Sequence, residues 1–209
     1  MKNTLFLIFL IAFISCKTDN NQENRIKEDV TFLASDALEG RQTGTDGEKK
    51  AANYIANRFK ELGLQEKGTA GYLQPFTFKP KTNPHDEVKF DVNGDGTITG
   101  NNVIGFVDNK AENTIIIGAH FDHLGFGGEG SLYRDSIKAV HNGADDNASG
   151  VSVLLNLAAK LKEKNTNNNY LFMAFSGEEM GLLGSNYFVK NPTIDTKKIS
   201  YMINMDMVG

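Results

Sequence analysis

The stretch T-I-I-I-G-A-H-F-D-H-L-G, residues 114–125, decides the fold. Its three consecutive isoleucines, Ile115 to Ile117, are typical of a strand that is buried on both faces. The apolar run stops at His120, so we expect this histidine at the carboxyl end of the strand. Ligands bind at that end of the strands in open α/β sheets.

The sequence downstream of this strand predicts an α/β fold. Apolar residues at helical spacing occupy residues 148–163 and about 180–189, and apolar strands are expected at 170–175 and 199–205. The order strand, helix, strand, helix, strand indicates a mixed, largely parallel sheet that is flanked by helices.

The sequence upstream of this strand predicts two helices and several short strands. The helices are expected within residues 25–38 and over 48–62, and strands over 72–78 and 103–107. Residues 88–92 and 97–99 flank Asn93-Gly94-Asp95-Gly96, a pattern typical of a β-hairpin.

The first residues indicate export. Lys2 is followed by an almost unbroken apolar run to Ile14, so we interpret residues 1–15 as a signal peptide. Cys16, the only cysteine, stands where bacterial lipoproteins carry their lipid. We expect a lipidated Cys16 on a polar tether, residues 16–24, and a bacterial membrane location in the periplasm or at the cell surface. The alternative is an ordinary secretory signal.

The charge balance argues against a nucleic-acid partner. The chain carries 22 basic and 26 acidic residues, a formal net charge of −4, so it has no basic field for phosphates. We therefore expect no nucleic acid, and no membrane contact except through Cys16. The sequence does not indicate an oligomeric state.

Acidic and imidazole side chains follow the predicted strands at four places. The residues are His120 and Asp122, Asp145 and Asp146, Glu178 and Glu179, and Asp206. A single histidine after a strand, or an acid at a helix N-terminus, is ordinarily structural. Adjacent carboxylates repel each other, however, unless a cation or proton lies between them. One imidazole with several carboxylates suits zinc or another divalent metal that assists hydrolysis.

These motifs resemble peptidase family M28, the bacterial zinc aminopeptidase group. The resemblance rests on residues 33–50, 119–125, 143–150, 176–184 and 204–209, so residues 25–209 are interpreted as the N-terminal portion of its catalytic domain. It implies a peptide substrate and two zinc ions that share a water molecule.

The resemblance also implies a role for each residue. His120 and Asp206 would hold one zinc, Glu179 the other, and Asp145 both. Glu178 would be the general base, Asp122 would brace His120, and Asp146 would shape the loop without binding metal.

One metal ligand of the family has no counterpart in this sequence. The second zinc requires a further histidine from beyond the Asp206 strand, whereas the chain ends at Gly209. We expect none of His85, His123 and His141 to replace it. The sequence is therefore interpreted as C-terminally truncated, and the 209 residues as poorly active by themselves.

Several alternatives remain open. A dipeptidase or carboxypeptidase would use the same metal core, and an inactive binding homologue would keep only the fold. Glutaminyl cyclase is related, but its single-zinc site lacks the histidine that His120 matches. Asp91, Asn93 and Asp95 also copy the start of an EF-hand loop, but Asn102 stands where the bidentate Glu belongs, so we expect no calcium site there.

Overall fold

The computed structural model describes residues 19–80, 87–128, 130–164 and 166–209. The main helices are α1 (Asp19–Leu33), α2 (Asp46–Glu61), α3 (Gly150–Lys162) and α4 (Leu183–Lys190). The strands are β1 (Gln65–Glu66), β2 (Leu73–Phe78), β3 (Ile98–Val107), β4 (Thr114–His120), β5 (Asn169–Phe175) and β6 (Ile199–Asn204). Short 3-10 helices lie at Asp36–Arg41 and Thr196–Lys198, and an irregular helical turn at Ala144–Ser149.

All six strands form one mixed sheet. Its order is β1-β3-β5-β4-β6, and β2 pairs with β3 outside this path. β4 runs parallel to β5 and β6, whereas β3 runs antiparallel to β1, β2 and β5. Every residue of β4 and β5 is buried, as expected for central strands that are covered on both faces.

Helices cover both faces of the sheet. The larger core joins apolar residues of α1, α2 and α3 to one face, with Ile55, Phe59 and Leu154 at 0% exposure. A smaller core packs α4, through Phe188, against Ile104 and Met173 on the other face. The predicted α/β architecture, a mixed sheet flanked by helices, is therefore confirmed. The expectation that the sheet is largely parallel is corrected, because among the described strands three of the five pairings are antiparallel and only those of β4 with β5 and β6 are parallel.

The predicted hairpin at residues 88–99 is wrong. Residues 98–107 form a single strand, which pairs over its first half with β2. The 88–92 segment contributes only an isolated bridge between Phe90 and Phe78. Side-chain packing explains why β3 pairs with β2. Phe76 and Phe78 of β2 pack with Leu183 and Tyr187 in a third hydrophobic cluster, and the 88–92 segment lies only at the edge of this cluster.

The N-terminal expectations are only partly open to comparison. The signal peptide, Cys16 and His85 lie outside the described residues, so those interpretations stay predictions. Helix α1 spans Asp19–Leu33, whereas we expected a helix within residues 25–38, so both of its boundaries are corrected. Within the described ranges, no helix has the length and apolar character that crossing a bilayer requires.

Candidate metal centre

Three parallel strands bring the candidate residues to one edge of the sheet. His120 at the end of β4 lies level with Phe175 at the end of β5, and Gly118 pairs with Asn204 at the end of β6. The loops that follow β4, β5 and β6 therefore leave the sheet together, as the sequence predicts. The irregular turn Ala144–Ser149 meets them at the N-terminus of α3.

A first cluster consists of His120, Asp146 and Asp206. The Nε2 atom of buried His120 lies 3.2 Å from Asp146 Oδ1 and 3.5 Å from Asp206 Oδ1. The other ring nitrogen, Nδ1, lies 3.1 Å from the backbone oxygen of Asp122. That contact fixes the ring with Nε2 toward the carboxylates, which is the orientation that a metal-binding histidine requires.

A second cluster consists of His123, Asp146 and Glu179. His123 Nδ1 lies 2.6 Å from Glu179 Oε1 and 3.9 Å from Asp146 Oδ2. In each cluster, one nitrogen or oxygen atom per residue lies within 4.8 Å of the others. Asp146 joins the clusters, because it presents Oδ1 to one and Oδ2 to the other.

This arrangement corrects the expectation for Asp145 and Asp146. Asp145 is exposed, accepts a hydrogen bond from Gly209 N (2.9 Å) and lies 3.2 Å from Ser149 Oγ, away from both clusters. The reason is Asn147, which donates to the backbone oxygens of His120 and Met205 and thereby fixes the loop beside the strand ends. Asp146, next to this anchor, is the residue that faces the clusters.

The expectation for His123 is also corrected. The sequence interpretation left the second cation with only two ligands, Asp145 and Glu179. The structure places three groups there, since His123 follows the end of β4 closely enough to reach Glu179. The sequence signal for this second imidazole was the position of His123, three residues after His120. His141 instead lies 2.6 Å from Ser131 Oγ and closes the intervening loop.

Asp122 supports the site from behind. Its carboxylate, 0% exposed, accepts hydrogen bonds from the backbone nitrogens of Glu178 (3.1 Å) and Glu179 (3.3 Å). The backbone oxygen of Asp122, rather than its carboxylate, makes the closer contact with His120, because Asp122 Oδ1 lies 3.7 Å from His120 Nδ1. The Asp122 carboxylate thus holds the Glu178–Glu179 turn, and the role of Asp122 as a brace for His120 stays a prediction.

Glu178 belongs to neither cluster. It is half-buried, its backbone is held by Asp122, and burial raises the pKa of its carboxyl, with Asp122, Glu179 and Asp206 adding to the rise. A carboxyl group with these properties can exchange a proton near neutral pH more readily than an exposed glutamate.

The crowding of carboxylates perturbs the other groups as well. Burial, reinforced by Glu179, raises the pKa of Asp146. The hydrogen bond from His123 lowers the pKa of Glu179. Burial alone would lower the pKa of His120, but Asp122, Glu178 and Asp206 outweigh it and raise this pKa to about 9. Negative charge therefore dominates, and the nitrogen and oxygen donors suit zinc.

A buried arginine connects the loops of the site through hydrogen bonds. Arg41 donates to the backbone oxygens of Leu33, Phe121 (2.7 Å), Asn142 (2.7 Å) and Gly143 (3.0 Å). These carbonyls belong to the end of α1, the end of β4 and the turn before Asp146. Burial lowers the pKa of Arg41 to about 10. Sequence reasoning did not identify this residue.

A cavity of about 660 Å³ opens beside the second cluster. Polar groups of Thr43, His123 and Glu179 line one part of it, and Leu124 and Met180 supply apolar wall. The cavity therefore places an apolar surface next to the second cluster, a combination that is typical of small-molecule and peptide sites.

Comparisons of the sequence agree with this chemistry. Residues 102–209 match Peptidase family M28. The alkaline phosphatase isozyme conversion protein of Escherichia coli K12 is 33% identical over 168 residues, which cover 80% of this chain and 46% of that protein. A probable leucine aminopeptidase of Trichophyton verrucosum is 38% identical over 52% of this chain and 28% of its own length. The chain thus spans less than half the length of these relatives.

Solved structures share the fold. A leucine aminopeptidase precursor and a glutaminyl cyclase, both from Bacteroides thetaiotaomicron, each superpose with a TM-score of 0.66 at 20% identity. Each superposition covers 91% of this chain and 62% of the other. The motifs at the strand ends, the geometry of the two clusters and the sequence match lead to one conclusion: the chain belongs to peptidase family M28.

Proposed function

We propose that these residues form the dinuclear zinc centre of an exopeptidase, specifically an aminopeptidase that removes N-terminal residues from peptides. The observation that carries the proposal is the position of Asp146. Its two oxygens face different clusters, so one carboxylate joins two metal-binding groups of three residues each. Membership of family M28 and the aminopeptidase relatives support the same reaction class.

Each cluster fits one zinc ion. His120, Asp206 and Asp146 would hold the first, and His123, Glu179 and Asp146 the second. Three protein ligands from nitrogen and carboxylate oxygen correspond to a catalytic zinc site that keeps a position open. When bound, zinc supplies Lewis acidity toward a carbonyl oxygen and lowers the pKa of water.

Glu178 is the general base in this proposal. Its carboxyl lies among the clusters without belonging to either, and its raised pKa suits a group that takes a proton and returns it. It would take the proton of the attacking water and deliver it to the amine that leaves. Asp122 keeps the carboxyl in place through the Glu178 backbone nitrogen.

The experiment compares the two neighbouring glutamates. Glu178→Gln should keep zinc yet lower hydrolysis of an aminoacyl anilide by roughly 10²–10⁴-fold, as expected for loss of a general base. Glu179→Gln should lose zinc as well as activity. The preparation must show measurable wild-type turnover, and zinc is quantified for each variant by elemental analysis. A Glu178→Gln protein with nearly the wild-type rate would exclude Glu178 as the base.

Cyclisation of N-terminal glutamine is the second candidate, because the glutaminyl cyclase superposes as well as the leucine aminopeptidase precursor does. The same preparations distinguish the two reactions. Cyclisation of a glutaminyl peptide yields a pyroglutamyl peptide and ammonia, whereas aminopeptidase hydrolysis yields free glutamine and the shortened peptide. Peptides with a free or a blocked C-terminus distinguish aminopeptidase activity from the dipeptidase and carboxypeptidase alternatives. An aminopeptidase should cleave both kinds of peptide, whereas a carboxypeptidase or dipeptidase should need the free C-terminus.

A further inference from the structure

One buried carboxylate near the metal centre belongs to neither cluster. Glu48, in the first turn of α2, has 0% exposure. Its Oε1 accepts hydrogen bonds from Asn101 N (3.0 Å) and Ser176 Oγ (2.9 Å). Among the described residues, Glu48 forms no salt bridge. Hydrogen bonds from neutral groups therefore offset the free-energy cost of burying its carboxyl group.

Two hydroxyl groups connect Glu48 to Asp122. Ser176 Oγ lies 3.4 Å from Thr43 Oγ1, and Thr43 Oγ1 donates to Asp122 Oδ2 at 3.1 Å. Ser176 and Thr43 are both buried. The connection ends at the carboxylate that holds the backbone of Glu178 and Glu179, so it reaches the metal centre without touching a metal-binding side chain.

The charge on Glu48 determines where the Ser176 hydroxyl donates. Ser176 has a single hydroxyl proton and two acceptors within reach, Glu48 at 2.9 Å and Thr43 at 3.4 Å. An ionised Glu48 is the stronger acceptor and takes this proton. A neutral Glu48 releases it toward Thr43, whose own hydroxyl then donates more strongly to Asp122.

We propose that Glu48 is a positioning residue of the metal centre, which acts on Asp122 through the hydroxyls of Ser176 and Thr43 and favours cation binding when it is ionised. The inference rests on the zinc centre proposed above. An ionised Glu48 adds negative potential to the site and leaves more of the negative charge of Asp122 available to its neighbours. Both effects increase zinc affinity.

The surroundings allow Glu48 to change charge near neutral pH. Burial raises the pKa of Glu48 to about 7. The hydrogen bonds from Ser176 and Asn101 favour the ionised form and lower this pKa, but burial has the larger effect. The negative charge of the Asp122 carboxylate raises the Glu48 pKa further. The neighbours from the other elements, Thr45 before α2, Asn101 on β3 and Ser176 after β5, are uncharged.

Glu48→Gln provides the test, because glutamine keeps the shape and the accepting oxygen but not the charge. Below the Glu48 pKa the wild type is also neutral there, so the variant should bind zinc equally well. Above this pKa the variant should bind zinc about three- to tenfold more weakly, as expected for loss of one charge at roughly 10 Å. The comparison uses the ratio of the two dissociation constants, because histidine protonation affects both proteins.

The measurement is zinc affinity of the 209-residue chain by competition with a chromophoric chelator. It is made at about pH 6 and about pH 8, on either side of the Glu48 pKa. Urea unfolding of each variant confirms that it is folded. A ratio that rises from about 1 to severalfold with pH supports the proposal. A ratio that is the same at both pH values overturns it, because a merely structural role is independent of charge.

Thr43→Val and Thr43→Ser test the route. Valine removes the hydroxyl that connects Ser176 to Asp122, whereas serine keeps it. The effect of Glu48→Gln at about pH 8 should shrink by at least about twofold in the Thr43→Val background and persist in Thr43→Ser. An unchanged effect in both backgrounds would show that Glu48 acts by charge alone and would overturn the positioning role. Failure of the wild type to bind zinc at either pH would instead reject the metal centre itself.

Discussion

Asp146→Asn compared with Asp145→Asn is the sharpest test of the proposed centre. The two residues are neighbours and both are acids, but only Asp146 faces the clusters. The amide removes one carboxylate ligand from each cluster, so each falls from three groups to two. It also removes a negative charge that lies 3.2 Å from His120 Nε2.

The size of the effect follows from these contacts. Loss of a group that only supports a metal ligand ordinarily costs 10–100-fold in affinity, so loss of the shared ligand should cost roughly 100-fold or more, about 2.7 kcal/mol. Asp145 is exposed and contacts Ser149 and Gly209, so Asp145→Asn should change zinc affinity by less than about threefold, within the range of surface substitutions.

The assay is chelator competition on the purified 209-residue chain, with the zinc content of each variant measured by elemental analysis. Wild type should bind up to two zinc ions, Asp145→Asn the same number, and Asp146→Asn fewer and more weakly. The reasoning fails if Asp145→Asn loses as much affinity as Asp146→Asn, or if Asp146→Asn retains wild-type affinity. Either result would return the shared-ligand role to Asp145 or to another residue.

Three further predictions follow from the fold and the sequence. Arg41→Ala should destabilise the protein by about 3–5 kcal/mol in urea unfolding, because four carbonyls lose a buried charged donor, whereas exposed Arg25→Ala should cost less than about 1 kcal/mol. In metal-free protein the ionisation of Glu48 should remove about 3 kcal/mol of stability as pH rises from 4.5 to 7, because the folded-state pKa of Glu48, about 7, lies above the ordinary 4.5. In urea unfolding the wild type should therefore lose about 3 kcal/mol more than Glu48→Gln over this pH range, and an equal loss in both proteins would contradict the prediction. Cys16 should incorporate labelled palmitate in the bacterial cell and Cys16→Ser should not; equal labelling would reject the proposed lipid anchor and with it the expected membrane location.

The strand ends could be predicted from sequence because burial on both faces leaves a plain pattern. Ile115 to Ile117 and the run from Tyr170 to Phe175 are apolar on consecutive residues, and each polar motif begins where the run stops. The convergence of His120, Glu179 and Asp206 then follows from parallel strands alone. The pairing of β2 with β3 was not predictable in this way, because it depends on side-chain packing around Phe76 and Phe78.

The choice between Asp145 and Asp146 could not be made from sequence. Both residues fit the loop before a helix, and the preference depends on Asn147, whose amide connects the ends of β4 and β6. Such long-range hydrogen bonds leave no periodic pattern. The buried position of Glu48 could not be predicted from sequence for a similar reason. An acidic residue in the first turn of a helix is ordinarily exposed to solvent, where it interacts favourably with the helix dipole.

The distribution of charge favours a cation at the candidate metal centre. Asp146, Glu178, Glu179 and Asp206 lie together, and among the described residues no lysine or arginine forms a salt bridge with any of them. Arg41 is buried close by, but it donates its hydrogen bonds to backbone oxygens. Arg41 thus holds the loops, and the basic side chains that pair with these carboxylates are His120 and His123. Because two histidines face four carboxylates, the cluster keeps excess negative charge, which a bound divalent cation would neutralise.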